Sequence, residues 1–275
     1  MMQSGIVKIE NYKKVLESES FSELESYSDN FTKLQRELFP EFSKRWVKDS
    51  FHQWSRQYEY PFVADAISDL SAGAGRILDA GSGITFFPYY LKEKYADIQI
   101  ECCDYDPKLK EQFERVNSKL DKNIQYFNAD IRNIEKPDKF YDMIYCISVL
   151  EHTDDYDGIL KELARITSKD GHLILTFDIS MDGSADISIE KAIELLAVIE
   201  KYYIQVTGKV SLSGSDLKNS DLLTTNYINT INKKLLPWRY PYLMFFKSLS
   251  KGKLSKYLLR NLTCYCGVFK KKPEA

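Results

Sequence analysis

Apolar positions in the first part of the chain recur at helical spacing. Phe21, Leu24, Tyr27 and Phe31 fall three or four residues apart and share one helix face. Pro40 breaks that run. An aromatic-rich segment follows from Phe42 to Tyr60, and Pro61 predicts the opening turn of another helix reaching Leu70. Ser71 to Gly75 reads as a loop. The period then changes. Short apolar runs at Arg76–Ala80, Ile98–Cys103, Ile124–Asn128, Tyr141–Ile147 and His172–Phe177 predict strands. Between them Phe86–Tyr95, Pro107–Leu120 and Tyr156–Thr167 predict helices, with Thr85 capping the first and Asp106 the second. Strands alternating with helices describe βαβ units, a mostly parallel sheet and a doubly wound, Rossmann-like α/β fold.

Beyond Asp178 the pattern predicts a helix at Ser188–Tyr202, a strand at Tyr203–Val210 and a polar loop at Ser211–Asp221. Ile231–Arg260 is basic, aromatic and mostly helical, and the alternation in Leu262–Lys270 predicts a last strand. The expected organisation is an N-terminal helical cover over residues 1–70 and an α/β domain over 71–275, with a C-terminal basic helical insert at 211–260.

Composition narrows the class. With 275 residues, 44% hydrophobic and 28% charged, the chain suits a globular protein with a sizeable core. No stretch is long and apolar enough to predict a spanning helix, and Met1–Glu10 lacks the apolar core of a signal peptide. The five cysteines are odd in number and form no CxxC pair. They predict reduced thiols in a cytoplasmic protein, with no disulfide framework and no metal site. Charge is uneven. Ile231–Ala275 carries eleven Lys or Arg against one acid, net +10, which leaves −12 on Met1–Thr230. Such a body repels nucleic acid, while the C-terminal segment attracts anions.

The informative chemistry lies at Ile77-Leu78-Asp79-Ala80-Gly81-Ser82-Gly83. Two glycines one residue apart at a strand-to-helix turn let a ligand lie against the backbone. A dinucleotide fingerprint would place a third glycine where Thr85 and Phe86 stand. Asp79 would repel a pyrophosphate and attract a cation. S-adenosylmethionine, with a sulfonium, an ammonium and no phosphate, fits that pattern better than NAD. Asp104 ends the second strand 21 residues after Gly83, at the distance from which an acid accepts ribose hydroxyls. Asp130 follows the third strand and is placed to accept the adenine amino group, with the Ile131 backbone beside it. Tyr105 either stacks on adenine or covers the sheet edge.

Ile77 to Gly83, Asp104, Asp130, Phe140-Tyr141-Asp142-Met143-Ile144 and Ser148-Val149-Leu150-Glu151-His152 together resemble the ordered motifs of class I S-adenosylmethionine-dependent methyltransferases, in particular the small-molecule group called type 11. The resemblance covers Arg76 to Asp178 and departs from the family at Thr85. It implies a seven-stranded sheet of order 3-2-1-4-5-7-6 with the last strand antiparallel. It also implies that Asp79, Gly81, Ser82 and Gly83 face the methionine part, that Asp104 takes ribose and Asp130 adenine, and that Ser148 lines the sulfonium side.

Methyl transfer leaves the protein mainly to position the acceptor, and an oxygen acceptor gains from a base. His152 is the first candidate base, with Glu151 and Asp178 beside it. The plainer role of Glu151 and His152 is to pin the loop. His52 is a weaker candidate, and His172 reads as structural. Arg56 either clamps the cofactor carboxylate or sits incidentally on an amphipathic cover, and Tyr58 and Tyr60 would wall the acceptor pocket. The basic segment reads as a solvated face, as the seat of an anionic acceptor, or as a peripheral membrane contact through 237–260. The expected activity is methylation of a small polar metabolite at oxygen, a carbohydrate or anionic surface-glycan precursor. The alternatives are a non-catalytic module that binds the cofactor or its S-adenosylhomocysteine product, an aminopropyl transferase, and an NAD-dependent dehydrogenase. Sequence leaves the oligomeric state open.

Overall fold

The computed structural model describes residues 1–41, 49–70, 75–183, 187–208, 212–213, 216–218, 220–237 and 260–273. Most of the predicted basic insert, including 238–259, lies outside the described residues, as do 42–48 of the aromatic segment and 71–74 of the predicted loop.

Three helices open the chain after a two-residue strand, β1 (Gly5–Ile6): α1 (Ile9–Leu16), α2 (Glu19–Leu38) and α3 (Arg56–Leu70). The α/β pattern follows as β2 (Arg76–Ala80), α4 (Phe87–Lys94), β3 (Gln99–Asp104), α5 (Leu109–Leu120), β4 (Gln125–Asn128), β5 (Tyr141–Ile147), α6 (Tyr156–Ile166) and β6 (Thr167–Ser180). It closes with α7 (Ile189–Tyr202), β7 (Tyr203–Gln205), α8 (Thr225–Ile231) and β8 (Leu262–Lys271). The five strands from β2 to β6 pair in parallel in the order β4-β3-β2-β5-β6, and β8 adds antiparallel to β6. β7 pairs with the far side of β8, which completes the order implied by the resemblance. The sheet has eight strands rather than seven, because β1 pairs antiparallel with β8 at Gly5–Cys266 and Ile6–Tyr265.

Alternate strand residues point to opposite faces, and two cores result. On one face Ile77, Cys102, Met143, Tyr145, Ile174 and Cys266 pack with α1 to α5. On the other Leu78, Cys103, Ile144, Cys146, Leu173 and Leu175 pack with α6 and α7. The N-terminal helices therefore share a core with the sheet. Phe86 and Phe87, both without exposure, join Tyr60 at ring separations of 4.8 and 5.0 Å. These rings fix α3 and α4 over the end of β2. All five cysteines are buried as free thiols.

Three local expectations are corrected. Pro61 lies inside α3 rather than at its start, because helical bonds already run from Tyr58 and Glu59 to the Ser55 carbonyl. A proline there forfeits one helical bond, a loss of roughly 3 kcal/mol that the buried Tyr58, Tyr60, Phe62 and Val63 offset. Phe86, not Thr85, is the N-cap of α4, and it makes no side-chain capping bond. Lys108 rather than Asp106 caps α5, while Asp106 accepts from the Lys108 N–H at 3.0 Å. Among the described residues no helix is long and apolar enough to cross a membrane.

Candidate active site

The carboxyl ends of β2 to β6 all emerge on one edge, where an open α/β sheet receives ligands. The turn after β2 holds Gly81 at φ +77° and Gly83 at φ +54°, values that favour glycine. The Gly81 and Ser82 N–H groups both donate to the Cys103 carbonyl, at 2.9 and 3.0 Å. The Gly83 N–H donates to Asp104 Oδ2 at 2.9 Å, and the Asp106 N–H to Oδ1 at 3.1 Å. Asp104 thus shapes the glycine turn as well as facing outward.

Two cavities adjoin over this edge and share Gly81, Asp104 and Ser148. The first, of about 450 Å³, is bordered by Tyr105, Asp130, Ile131, Arg132, Val149 and His152. Tyr105 is 81% exposed, a large ring standing at the rim with one face open to a ligand. Asp130 is exposed and held by the Arg132 guanidinium, with contacts of 2.9 and 2.6 Å, which keeps its carboxyl below the usual carboxylate range. The second cavity, of about 400 Å³, is bordered by Asp79, Ser82, Gly83, Thr85, Arg56 and Tyr60, among others.

Electrostatics divide the two. Asp79 is 5% exposed, and burial pushes its carboxyl up to about 8; the Tyr145 hydroxyl opposes this and the Asp104 charge adds to it. Without a cationic ligand Asp79 is mostly protonated at neutral pH. Arg56 is the sole cation bordering the second cavity among the described residues. Burial works against its charge, but Glu59, Tyr60, Asp178 and Glu151 more than reverse that and raise its pKa. Its Nη1 donates to Glu59 Oε2 and to Ser148 Oγ, and Ser148 Oγ donates to Glu59 Oε1 at 2.8 Å. Ser148 sits at φ +47°, a conformation L-residues rarely adopt.

Deeper in, Glu151 lies in a 3-10 turn (Leu150–His152) that follows β5, and its Oε1 accepts from the Asp178 N–H at 2.7 Å. Glu151 Oε2 and Asp178 Oδ1 are buried without a hydrogen-bond partner among the described residues. Burial pushes Glu151 up to about 7, aided by the Glu59 charge and opposed by Arg56. Burial, with Glu151 and Glu59, raises Asp178 well above the carboxylate range.

The predicted residues therefore fall into three groups, one at each cavity and a third, Glu151 and Asp178, that borders neither. Tyr105, Asp130, Ile131 and His152 border the first cavity. Asp79, Ser82, Gly83, Thr85 and Arg56 border the second. His152 is exposed and borders the first cavity, which Glu151 and Asp178 do not. His172 is half-buried in β6, and burial lowers its pKa. Sequence reasoning missed Glu59, which is fully buried. The signal was its spacing of three from Arg56, which places both on one side of a helix.

His52 lies apart, with Nδ1 2.7 Å from Asp49 Oδ2 and Nε2 3.1 Å from Glu25 Oε1. The Asp49 hydrogen bond raises it to about 9, against burial and with further help from the Asp49, Glu25 and Asp29 carboxylates. A histidine raised above its ordinary value stabilises the fold fully below pH 6.5, and that contribution fades as pH climbs through 9. His52 is 32% exposed, so solvent screening limits the contribution to about 1 kcal/mol. Thermal melts should show His52→Gln about 2–4 °C below wild type at pH 7, the two converging above pH 10. A constant gap would refute the ionic origin.

Comparison with known proteins agrees with this geometry. A family model described as a methyltransferase domain matches residues 78–175. A tRNA U34 carboxymethyltransferase from Aliarcobacter butzleri is 27% identical over 157 residues, 55% of this chain and 51% of that protein. The chain thus spans about half the length of that relative. A protein from Galdieria sulphuraria assigned as a sarcosine dimethylglycine methyltransferase superposes with a TM-score of 0.52 at 16% identity, over 78% of this chain and 85% of its own. The cyclase SpnF superposes at 0.51 with 14% identity, over 82% and 85%. These two structures share the fold, and the fold alone does not choose a reaction. The family-model match at residues 78–175 runs from β2, through the glycine turn after it, to the core of β6 and so takes in the strand ends that border both cavities.

Proposed function

We propose that the protein moves a methyl group from S-adenosylmethionine to an oxygen of a small polar acceptor in the cytoplasm. The observation that carries this is the division of charge between the two adjoining cavities. The first offers an exposed ring, Tyr105, and hydrogen-bonding groups at Asp130 and Ile131, which suit adenine. Asp104 stands between the cavities, where ribose hydroxyls reach it. The second pairs one cation, Arg56, with the buried Asp79, which suits the carboxylate and the ammonium of an amino acid. Bound there, S-adenosylmethionine supplies an electrophilic methyl.

The chain's own residues do the rest. Glu151 and Asp178 form the base pair of this reading, since a carboxyl raised to about 7 takes a hydroxyl proton effectively near neutral pH. Glu151 and Asp178 would receive the hydroxyl proton of an acceptor whose oxygen takes the methyl that the bound cofactor would supply. His152, bordering the nucleoside cavity, is assigned to cofactor contact. The acceptor is read as a carbohydrate or anionic glycan precursor whose anionic part meets the basic segment of Ile231–Arg260. A peripheral membrane contact through 237–260, of which 238–259 lie outside the described residues, is the alternative use of that charge, and the acidic body disfavours nucleic acid.

Transfer of labelled methyl to a panel of sugar nucleotides and phosphorylated sugars tests the acceptor class; label confined to amines would overturn it. Asp104→Ala should weaken S-adenosylhomocysteine binding by about 1.5–3 kcal/mol, since a charged hydrogen-bond pair is lost. An unchanged dissociation constant in calorimetry would remove Asp104 from the ribose role.

A further inference from the structure

Arg56 needs an explanation that its own position does not supply. A long side chain at a cavity wall has many rotamers, and ordering it costs conformational entropy. Three carboxyl groups compete for it, because Asp178 and Glu151 act on the guanidinium as well as Glu59. Glu59 is the partner that the geometry selects. It is the one acid of the three that bonds the guanidinium directly, at Nη1, and it simultaneously accepts from Ser148. This leaves Nη2 and Nε without hydrogen bonds among the described residues. A carboxylate ligand takes such a free edge in a paired, two-bond contact.

Burying the Glu59 carboxylate completely is expensive unless it is well bonded, which points to a purpose beyond packing. Ser148 adds to this. Its left-handed backbone persists only where neighbours hold it, and its hydroxyl is clamped between Glu59 and Arg56 while its N–H donates to the Thr176 carbonyl at 3.0 Å. Helix α3, the strand edge after β5 and the second cavity are tied together by one carboxylate.

We infer that Glu59 is a positioning residue for cofactor recognition: it holds Arg56 and Ser148 so that the guanidinium edge meets the carboxylate of the cofactor's amino-acid part. The inference rests on the reading of the second cavity given above. It predicts that loss of Glu59 harms recognition of the amino-acid part and spares recognition of the nucleoside.

The probes are S-adenosylhomocysteine, which has the amino-acid part, and 5′-methylthioadenosine, which lacks it. Calorimetry on the full chain should show Glu59→Gln weakening S-adenosylhomocysteine at least 30-fold and methylthioadenosine less than threefold. Glu59→Asp keeps the charge and shortens the reach, and should lose about tenfold for the first ligand alone; it keeps the test alive should the glutamine variant not fold. Combined with Arg56→Lys, Glu59→Gln should add little further loss, since both act through one contact. Equal losses for both ligands, or additive losses in the double variant, would overturn the positioning role. Failure of the wild-type protein to bind either ligand would overturn the cavity reading itself.

Discussion

Gly81→Ala should lower affinity for S-adenosylhomocysteine by at least several hundredfold and destabilise the chain by a few kcal/mol. Two effects combine. At φ +77° a side chain brings roughly 1–2 kcal/mol of backbone strain. A Cβ there would also stand 2.6 and 2.7 Å from the two methyl carbons of Val149, closer than such atoms approach. Relief requires either the turn after β2 or the segment after β5 to move, an overpacking cost of about 1–3 kcal/mol. Both borders belong to the first cavity, so either movement deforms it. Gly83 has a similar φ of +54° but no atom of the described residues within 4 Å of its hypothetical Cβ. Gly83→Ala therefore serves as the control, carrying strain without the collision. Binding titrations and thermal melts of the two variants check the difference, and equal losses would locate the effect in backbone strain alone.

Asp79→Asn should produce the second large effect and change its dependence on pH. The ligand-free carboxyl, pushed up to about 8 by burial, holds a proton at neutral pH. A cation beside it favours the ionised form, so binding releases that proton. The affinity of the wild-type protein for S-adenosylmethionine should therefore rise with pH, by up to tenfold per unit, from pH 6 to 7.5. Over that window the ligand's amino group stays largely protonated. The asparagine variant should lose the slope and bind at least several hundredfold more weakly at pH 7.5, as expected when one partner of a buried charge pair is removed. Stability should move the other way. An acid whose folded value lies above its unfolded value of 3.8 makes stability fall as pH rises from about 4 to 8. Asp79→Asn removes that burden, so the variant should melt higher than wild type at pH 8. Parallel pH profiles for the two proteins would contradict this account of Asp79.

These two residues also show how much of the site is legible in the sequence. Asp79, Gly81 and Gly83 announce themselves because strand ends and tight turns restrict which residues fit, and those restrictions are local. β5 was bounded correctly at both ends for the same reason, as an apolar run stopped by Ser148. β6 runs from Thr167 to Ser180, beyond the predicted His172–Phe177 at both ends: Thr167 pairs with Tyr141 of β5 at its start, and the antiparallel partner β8 continues the pairing to Ser180–Leu262 at its end. The extension past Phe177 is set by a strand 82 to 86 residues away in sequence. β1 spans two residues and exists only through β8, so no local pattern could announce it. Glu59 escaped notice for a related reason. An acid in a helix ordinarily faces water, and only the packing of α3 against β6 and β8 seals this one inside. The acceptor end is the least legible part, since its polar groups come from α3, β5 and β6 together.

The central claim is that one charged crevice along the strand ends takes a cationic nucleoside thioether. Equilibrium dialysis with labelled S-adenosylmethionine at pH 7.5 tests it most directly. The expected result is saturation at one molecule per chain, displaced by S-adenosylhomocysteine and unaffected by NAD. Absence of saturable binding, or displacement by NAD at equal concentration, would contradict it.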